Sequence, residues 1–355
     1  HPNLCAAFVY DVNGLPVQLI VDDAVIPWTE VDLSDRGSAT DADLERRLAE
    51  DRSAPFDLAS PPLLRLTLLR TSPTRCVLVV TNHHIVLDGW SMPLLVRELL
   101  MRYADDSLSV ERAPADLPET PSYRTYLEWL MHRDMETSVA AWEDALEGVD
   151  EPTLLAPSTP IAEQLVPEEV AVDLPDSVRD GLGALVQRSG ITMNTVIQAA
   201  WGVLLSRMLS RDDVVFGVTV SGRSPELPGV ENMIGLLINT LPVRVQLDPD
   251  ETCTQLLARL QSEQAALLDH HYVGLGAIQS VVGTGNLFDT LSVFESYPID
   301  TSGMGGNTDI AGMRVTAVNA RDATHYPLTV LSVAEPTLQV SLRYQPAAFD
   351  RAAVD

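Results

Sequence analysis

Two adjacent histidines, His83 and His84, follow directly after an apolar segment and are the residues of this sequence best suited to chemistry. Residues 76–81 are mostly apolar and predict a buried strand, whose alternation points the two imidazoles to opposite faces. Asp88 lies four residues beyond His84, and Gly89 permits a tight turn back towards the end of the strand. An aspartate near an imidazole can hold its tautomer or raise its pKa, and imidazole transfers protons near neutral pH. The pattern therefore indicates proton-transfer chemistry at this strand end.

A histidine pair by itself is also typical of packing or of metal binding, so these interpretations stay open at this point. A metal site needs further ligands at suitable spacing, and the remaining histidines lie in no such motif: His1, His132, His270, His271 and His325. The sequence contains no Gly-x-Ser-x-Gly elbow and no phosphate-binding glycine loop. The three cysteines, Cys5, Cys76 and Cys253, are far apart and predict neither a disulfide framework nor a metal cluster.

Strands and helices on either side of the histidine pair must position it. Residues 63–70 and 76–82 predict two strands joined by a turn at 72–74, and a helix is expected from about Pro93 to Tyr103 with Ser91 as its N-cap. Residues 6–10 and 16–21 predict a hairpin around Asn13-Gly14. A polar helix is predicted over 40–51 and a longer apolar-faced helix over 121–147, followed by a linker at 148–170.

The second half of the chain continues the alternation of helices and strands. Helices are predicted near 176–188, 192–209 and 251–269, the second of them capped by Thr192 or Asn194. Strands are predicted at 213–220, 237–247, 287–296, 312–320, 326–333 and 336–345. The pattern predicts an α/β fold in two halves, residues 1–155 and 156–355.

Composition limits the classes of function. The chain has 355 residues and a formal charge of −27, and such an acidic surface repels phosphate backbones, which argues against nucleic-acid binding. Its apolar runs are shorter than a membrane span, and residues 1–20 do not have the form of a signal peptide. We therefore expect a soluble protein of the reducing cytoplasm.

The segment from His83 to Ser91 resembles the His-His-x-x-x-Asp-Gly signature of nonribosomal peptide synthetase condensation domains, which belong to the chloramphenicol acetyltransferase-like superfamily. Further segments resemble other motifs of the family and occur in the family's order. They are 55–58 with 62–65, 123–130, 213–217 with 221–223, 234–244, 287–291 with 294–298, 325–328 and 342–344. The resemblance covers nearly the whole chain.

The resemblance implies roles for individual residues. His84 would be the catalytic histidine, and the Gly89 amide would help to bind an oxyanion. His83 would be a packed support, Asp88 would form a structural ion pair with Arg65, and Arg223 would hold its loop. Residues expected to line the substrate channel are Trp90, Ser91, Asn239, Ser292 and Tyr326, although a satisfied buried amide is nearly as good an alternative for Asn239.

The implied fold is a V-shaped pseudo-dimer of two acetyltransferase-like lobes with the active site at their junction. Carrier proteins would deliver both substrates on 4'-phosphopantetheine arms, and the chain itself would bind no cofactor and no metal. Expected partners are the upstream and downstream peptidyl carrier proteins and a neighbouring adenylation domain, with the chain monomeric within a multidomain protein. The family's first motif falls before His1, so part of the donor side is expected outside this sequence.

The same signature occurs in other branches of the superfamily. Epimerisation domains usually read Val-Ser-Trp after Asp-Gly, heterocyclisation domains replace the first histidine by aspartate, and recruitment domains typically lose the second. This chain keeps both histidines and reads Trp90-Ser91 after Gly89, which favours condensation. The sequences of residues 87–91 and 294–298 most resemble those of domains that join an L-configured donor to an L-configured acceptor.

Overall fold

A computed structural model of the chain describes residues 1–34, 40–104, 120–157, 167–295, 310, 312–322, 324–334 and 337–355. The chain divides into two compact units. The first comprises His1–His132, Arg223–Leu237 and Asp309–Arg314, and the second comprises Arg133–Gly222, Ile238–Thr308 and Val315–Asp355. Both contain helices and strands, so the predicted α/β class is confirmed.

Unit 1 contains two small sheets and three α-helices among its described residues. Strands β1 (Ala6–Tyr10) and β2 (Pro16–Ile20) form an antiparallel hairpin. A second sheet has the order β3 (Trp28–Asp32), β4 (Leu64–Ser72) and β5 (Arg75–Asn82), with β3 parallel and β5 antiparallel to β4. The helices are α1 (Thr40–Ser53), α2 (Ser91–Ala104) and α3 (Tyr123–Met131). The predicted hairpin, the two strands before the histidines and the helix after them are thus confirmed, but no residue of β5 is fully buried, so the burial predicted for that strand is wrong.

Unit 2 is built on a six-stranded sheet of order β6–β11–β10–β9–β7–β8. Its strands are β6 (Glu168–Val172), β7 (Asp213–Val220), β8 (Asn239–Gln246), β9 (Thr290–Glu295), β10 (Leu328–Val333) and β11 (Gln339–Tyr344). Its helices are α4 (Met135–Ala145), α5 (Asp176–Ser189), α6 (Met193–Leu209), α7 (Cys253–Ala266), α8 (Leu275–Val282) and α9 (Arg351–Val354). The buried faces of the sheet and of α6 form the main core of this unit. Thr192, one of the two predicted caps, caps α6 by accepting from the Thr195 amide.

The structure differs from the prediction in several places, and it contains β3 and α8 where no element was predicted. The helix expected over 121–147 is broken into α3 and α4, because Asp134 accepts from the Thr137 amide and starts a new helix. Residues 312–320 form no strand: they are largely exposed, and only an isolated bridge joins Met313 to Ile310. The expected boundary at residue 155 also differs from the observed units, since α4 places the buried Trp142 in the core of unit 2.

Candidate functional site

The histidine pair lies where β5 ends, and backbone bonds hold the loop that follows. The His83 amide donates to the Leu63 carbonyl at 2.9 Å, which keeps the strand end attached to its neighbour. The amides of Val86 and Leu87 then donate to the carbonyls of His83 and His84, each at 3.2 Å, so the chain turns sharply. His84 is exposed, whereas His83 is half-buried. The two rings therefore differ in exposure, although both lie beyond the last residue of β5.

His83 is enclosed by neighbouring side chains of unit 1. Its ring lies edge-on to Phe56, with centroids 6.4 Å apart and planes at 82°. Its Nδ1 accepts a hydrogen bond from the Ile85 amide at 3.1 Å. Burial, and to a lesser degree the neighbouring His84, lower the pKa of His83, because both disfavour a second positive charge in this place. This environment supports the packed role expected for His83.

Asp88 is the centre of a buried polar network. Its side chain is fully buried, and both of its oxygens accept from the Arg223 guanidinium, at 3.0 and 3.2 Å. The carboxylate also accepts from the amides of Ser91, at 2.8 Å, and of Leu237, at 2.9 Å. The first of these bonds satisfies the amide of Ser91, which is the first residue of α2 and not its predicted N-cap. Asp88 thus joins the histidine loop to the segment that ends at Leu237.

The predicted pairing of Asp88 with Arg65 is wrong. Arg65 instead bonds to the Asp51 side chain at 3.1 Å and to the backbone carbonyls of Asp51 and Ala54. Its guanidinium also lies over the Phe56 ring, 4.3 Å from the centroid. Arg65 projects from β4 towards the end of α1, where Asp51 is within its reach, and Arg223 meets Asp88 from a distant part of the sequence.

Ser91 and Trp90, both expected to line the channel, take part in the Asp88 network. Ser91 is fully buried, and its hydroxyl donates to the Asp88 carboxylate at 2.7 Å and accepts from Arg223 at 2.9 Å. Trp90 donates from its indole nitrogen to the Glu231 carbonyl at 2.9 Å, and its ring lies 5.1 Å from the Arg223 guanidinium. These contacts give both residues a place in holding Arg223. Gly89 lies in the turn between Asp88 and α2.

Tyr123, Gly235 and Asn3, for which no role in the site was predicted, make further contacts with the segments around Asp88. Tyr123 donates to the Leu236 carbonyl at 2.7 Å, and its ring lies so close to Gly235 that a β-carbon there would come within 2.2 Å of it. Burial raises the pKa of Tyr123, so its hydroxyl stays protonated and can donate. Asn3 donates to the carbonyls of Val86 and Ile234. No signal in a single sequence pairs residues so far apart, although Tyr123 and Gly235 both lie in family-like segments.

The remaining predicted site residues lie in unit 2. Asn239 donates to the carbonyls of His271 and Val273, at 2.9 and 2.7 Å, which is the satisfied-amide arrangement kept as an alternative above. Ser292 is buried in the middle of β9. Tyr326 stacks on Phe288 with centroids 5.8 Å apart, and burial raises its pKa to about 12. Of the predicted residues, Asp88, Trp90, Ser91 and Arg223 thus form one network in unit 1, whereas Asn239, Ser292 and Tyr326 lie in unit 2.

Among the residues that the structure describes, no group of three histidine, cysteine, aspartate or glutamate side chains could hold a metal ion. No described helix is long and apolar enough to cross a membrane.

Comparison with known proteins connects this geometry to a family. The chain is 35% identical over 344 residues to chondramide synthase cmdD of Chondromyces crocatus, covering 96% of the chain but only 8% of that protein. It is 31% identical over 357 residues to bacitracin synthase 3 of Bacillus licheniformis, covering 100% of the chain and 6% of that protein. The chain therefore spans only a small part of the length of these relatives.

Solved structures show the same fold. The starter condensation domain of rhizomide synthetase matches with a TM-score of 0.80 and 21% identity, over 99% of this chain and 79% of that one. The X-domain from teicoplanin biosynthesis gives a TM-score of 0.82 at 24% identity, over 99% and 80% of the two chains. At these identities the likeness concerns the fold.

The family profile described as the condensation domain matches residues 1–355, which is the whole chain. Together with the similarity to peptide synthetases and the order of the motifs around His83 and His84, this shows that the chain belongs to the condensation domain family of nonribosomal peptide synthetases.

Proposed function

We propose that this chain catalyses peptide-bond formation between two substrates carried as thioesters. The observation that carries the proposal is the exposed imidazole of His84, presented at a strand end by a loop that the buried Asp88–Arg223 pair holds in place. A reacting group must be both accessible and fixed, because a well-oriented encounter can lower the barrier by about 7–11 kcal/mol. Membership of the condensation domain family supports the same reaction.

In the proposed reaction the acceptor amine attacks the carbonyl carbon of the donor thioester. His84 orients the amine and accepts its proton as the new C–N bond forms. The Gly89 amide stabilises the negative oxygen of the tetrahedral intermediate. The C–S bond then breaks, and the departing thiolate takes up the proton, so that a peptide bond and a free thiol result. His83, Asp88 and Arg223 support the loop in this scheme, and no metal takes part.

The direct test measures amide formation from two loaded carrier proteins by mass spectrometry. We expect His84→Ala to lower the rate by about 10²–10⁴-fold, the usual contribution of a positioned acid or base, without changing the melting temperature. His132→Ala is the matched control, because His132 is also an exposed histidine of unit 1 and should react at the wild-type rate. Normal turnover by His84→Ala would remove the proposed role. An inactive wild-type protein would instead favour a non-catalytic domain of the same fold.

We infer that the donor and the acceptor are both L-configured. The sequences of residues 87–91 and 294–298 support this stereochemistry, and residues 296–298 lie outside the described residues. Loading the upstream carrier with each epimer of the donor tests the inference. A higher rate with the L epimer is expected, and a preference for the D epimer would overturn it.

The substrates would arrive on phosphopantetheine arms of an upstream and a downstream carrier protein, with an adenylation domain as a neighbour. Carrier proteins are commonly acidic, and a chain of charge −27 cannot attract them by its overall field. Local contacts must therefore suffice, and the exposed Arg97 and Arg102 of α2 are basic residues available for them. We expect weak binding of a free carrier protein that changes little with salt. Tight binding that is lost as salt rises would show that long-range attraction dominates.

A further inference from the structure

The hydrogen bond between the Ile85 amide and His83 determines which nitrogen of His83 carries a proton. A backbone amide can only donate, so the accepting Nδ1, 3.1 Å away, must present a lone pair. A neutral imidazole has one protonated nitrogen, and the proton of His83 therefore lies on Nε2. An imidazolium carries protons on both nitrogens and could not accept this bond.

The bond is the histidine equivalent of an Asx turn. In such a turn the side-chain oxygen of Asn or Asp accepts from the amide two residues further on. Nδ1 of histidine is the same number of bonds from the backbone as Oδ1 of asparagine, and Ile85 is two residues beyond His83. The span closed by this bond contains His84, so it fixes the backbone from which the His84 side chain projects.

Further contacts hold the His83 ring in the required orientation. Phe56 meets the ring edge-on, and the Arg65 guanidinium covers Phe56 at 4.3 Å from its centroid. Arg65 is fixed in turn by Asp51, whose other oxygen accepts from the Thr81 hydroxyl just before the end of β5. This series of contacts gives Arg65 a role beside His83, in place of the predicted ion pair with Asp88.

We propose that His83 is a positioning residue whose unprotonated Nδ1, oriented by Phe56 and Arg65, holds the Ile85 amide and thereby directs His84 towards the substrate amine. The proposal rests on the proposed function of His84 as the reacting imidazole. It assigns His83 a specific atom and a specific tautomer, which a merely space-filling residue would not require.

Three substitutions of His83 separate this role from packing. Asparagine places an acceptor at the position of Nδ1, whereas glutamine places its amide near the position of Nε2 and alanine has neither. We expect kcat for peptide-bond formation to fall roughly 10- to 100-fold in His83→Gln and His83→Ala, as for other small misplacements of reacting groups, with KM nearly unchanged. His83→Asn should stay within about threefold of wild type. Equal or better activity of His83→Gln than of His83→Asn would overturn the proposal.

Nuclear magnetic resonance gives a readout that does not depend on activity. In wild-type protein labelled with ¹⁵N-histidine, the His83 signals, assigned by their absence from His83→Asn, should show an unprotonated Nδ1 and a protonated Nε2. The Ile85 amide should be protected from hydrogen exchange in wild type and His83→Asn and unprotected in the other two variants. A protonated Nδ1 would overturn the proposal even if the enzyme is active. Absence of peptide-bond formation with these signals present would refute the proposed function alone.

Discussion

Replacing Asp88 by alanine removes the carboxylate that neutralises Arg223 inside unit 1. The two side chains are 0% and 4% exposed, so Arg223 would be left as a buried charge without its counter-ion. Breaking such a pair from one side typically destabilises a protein by about 3–5 kcal/mol. The amides of Ser91 and Leu237 would lose their bonds to the carboxylate as well. At roughly 2–4 °C per kcal/mol for a protein unit of this size, the melting temperature should fall by about 6–20 °C.

Calorimetry or circular dichroism measures this change, and an exposed ion pair of the same unit supplies the control. Arg124 and Glu128 are 83% and 56% exposed, and Glu128→Ala should change the free energy of unfolding by only about 0.5 kcal/mol. The double variant Asp88→Ala with Arg223→Ala should be more stable than the sum of the single effects predicts, because neither charge is then left alone. An unchanged melting temperature for Asp88→Ala together with lost activity would refute this reasoning and make Asp88 a direct participant in the reaction.

Three further predictions concern other contacts. Gly235→Ala should destabilise the protein by about 1–3 kcal/mol in chemical denaturation, because its β-carbon would lie 2.2 Å from the Tyr123 ring. A smaller residue at position 123 of the same variant should restore much of this loss of stability. If it restores none, the contact is not the cause. Burial, aided by its histidine neighbour, lowers the pKa of His271 from 6.5 to about 4, so its contribution to stability is fully present above pH 6.5 and is lost as the pH falls towards 4. His271→Gln should reduce the fall in unfolding free energy over this range by about 3 kcal/mol, and an identical pH dependence in both proteins would exclude the effect. Arg65→Lys should lower stability by about 1–2 kcal/mol, because lysine cannot reproduce the stacking on Phe56 or the forked hydrogen bonds. The same change at the exposed Arg70 should be neutral. Equal effects at both positions would show that the Arg65 contacts contribute little.

Local patterns in the sequence determined much of the fold around the site. The strands that end at the histidines, the hairpin at Asn13-Gly14 and the cap of α6 at Thr192 each depend on neighbouring residues. Apolar alternation, turn residues and capping side chains act within a few positions of the chain, and for this reason a single sequence is enough to predict them. The alternation expected of the two histidines is not tested, because β5 ends at Asn82 and both lie in the loop that follows.

Only the tertiary structure decided which distant groups meet. Asp88 could be satisfied by any arginine brought close to it, and its partner Arg223 lies 135 positions away, whereas the nearer Arg65 is occupied by Asp51. The contact of Tyr123 with Gly235 was not evident for a related reason, whereas the break between α3 and α4 depends on the local cap at Asp134. Charge and hydrogen-bonding capacity are properties of single residues, but their pairing depends on how sheets and helices pack, and no local periodicity encodes that choice.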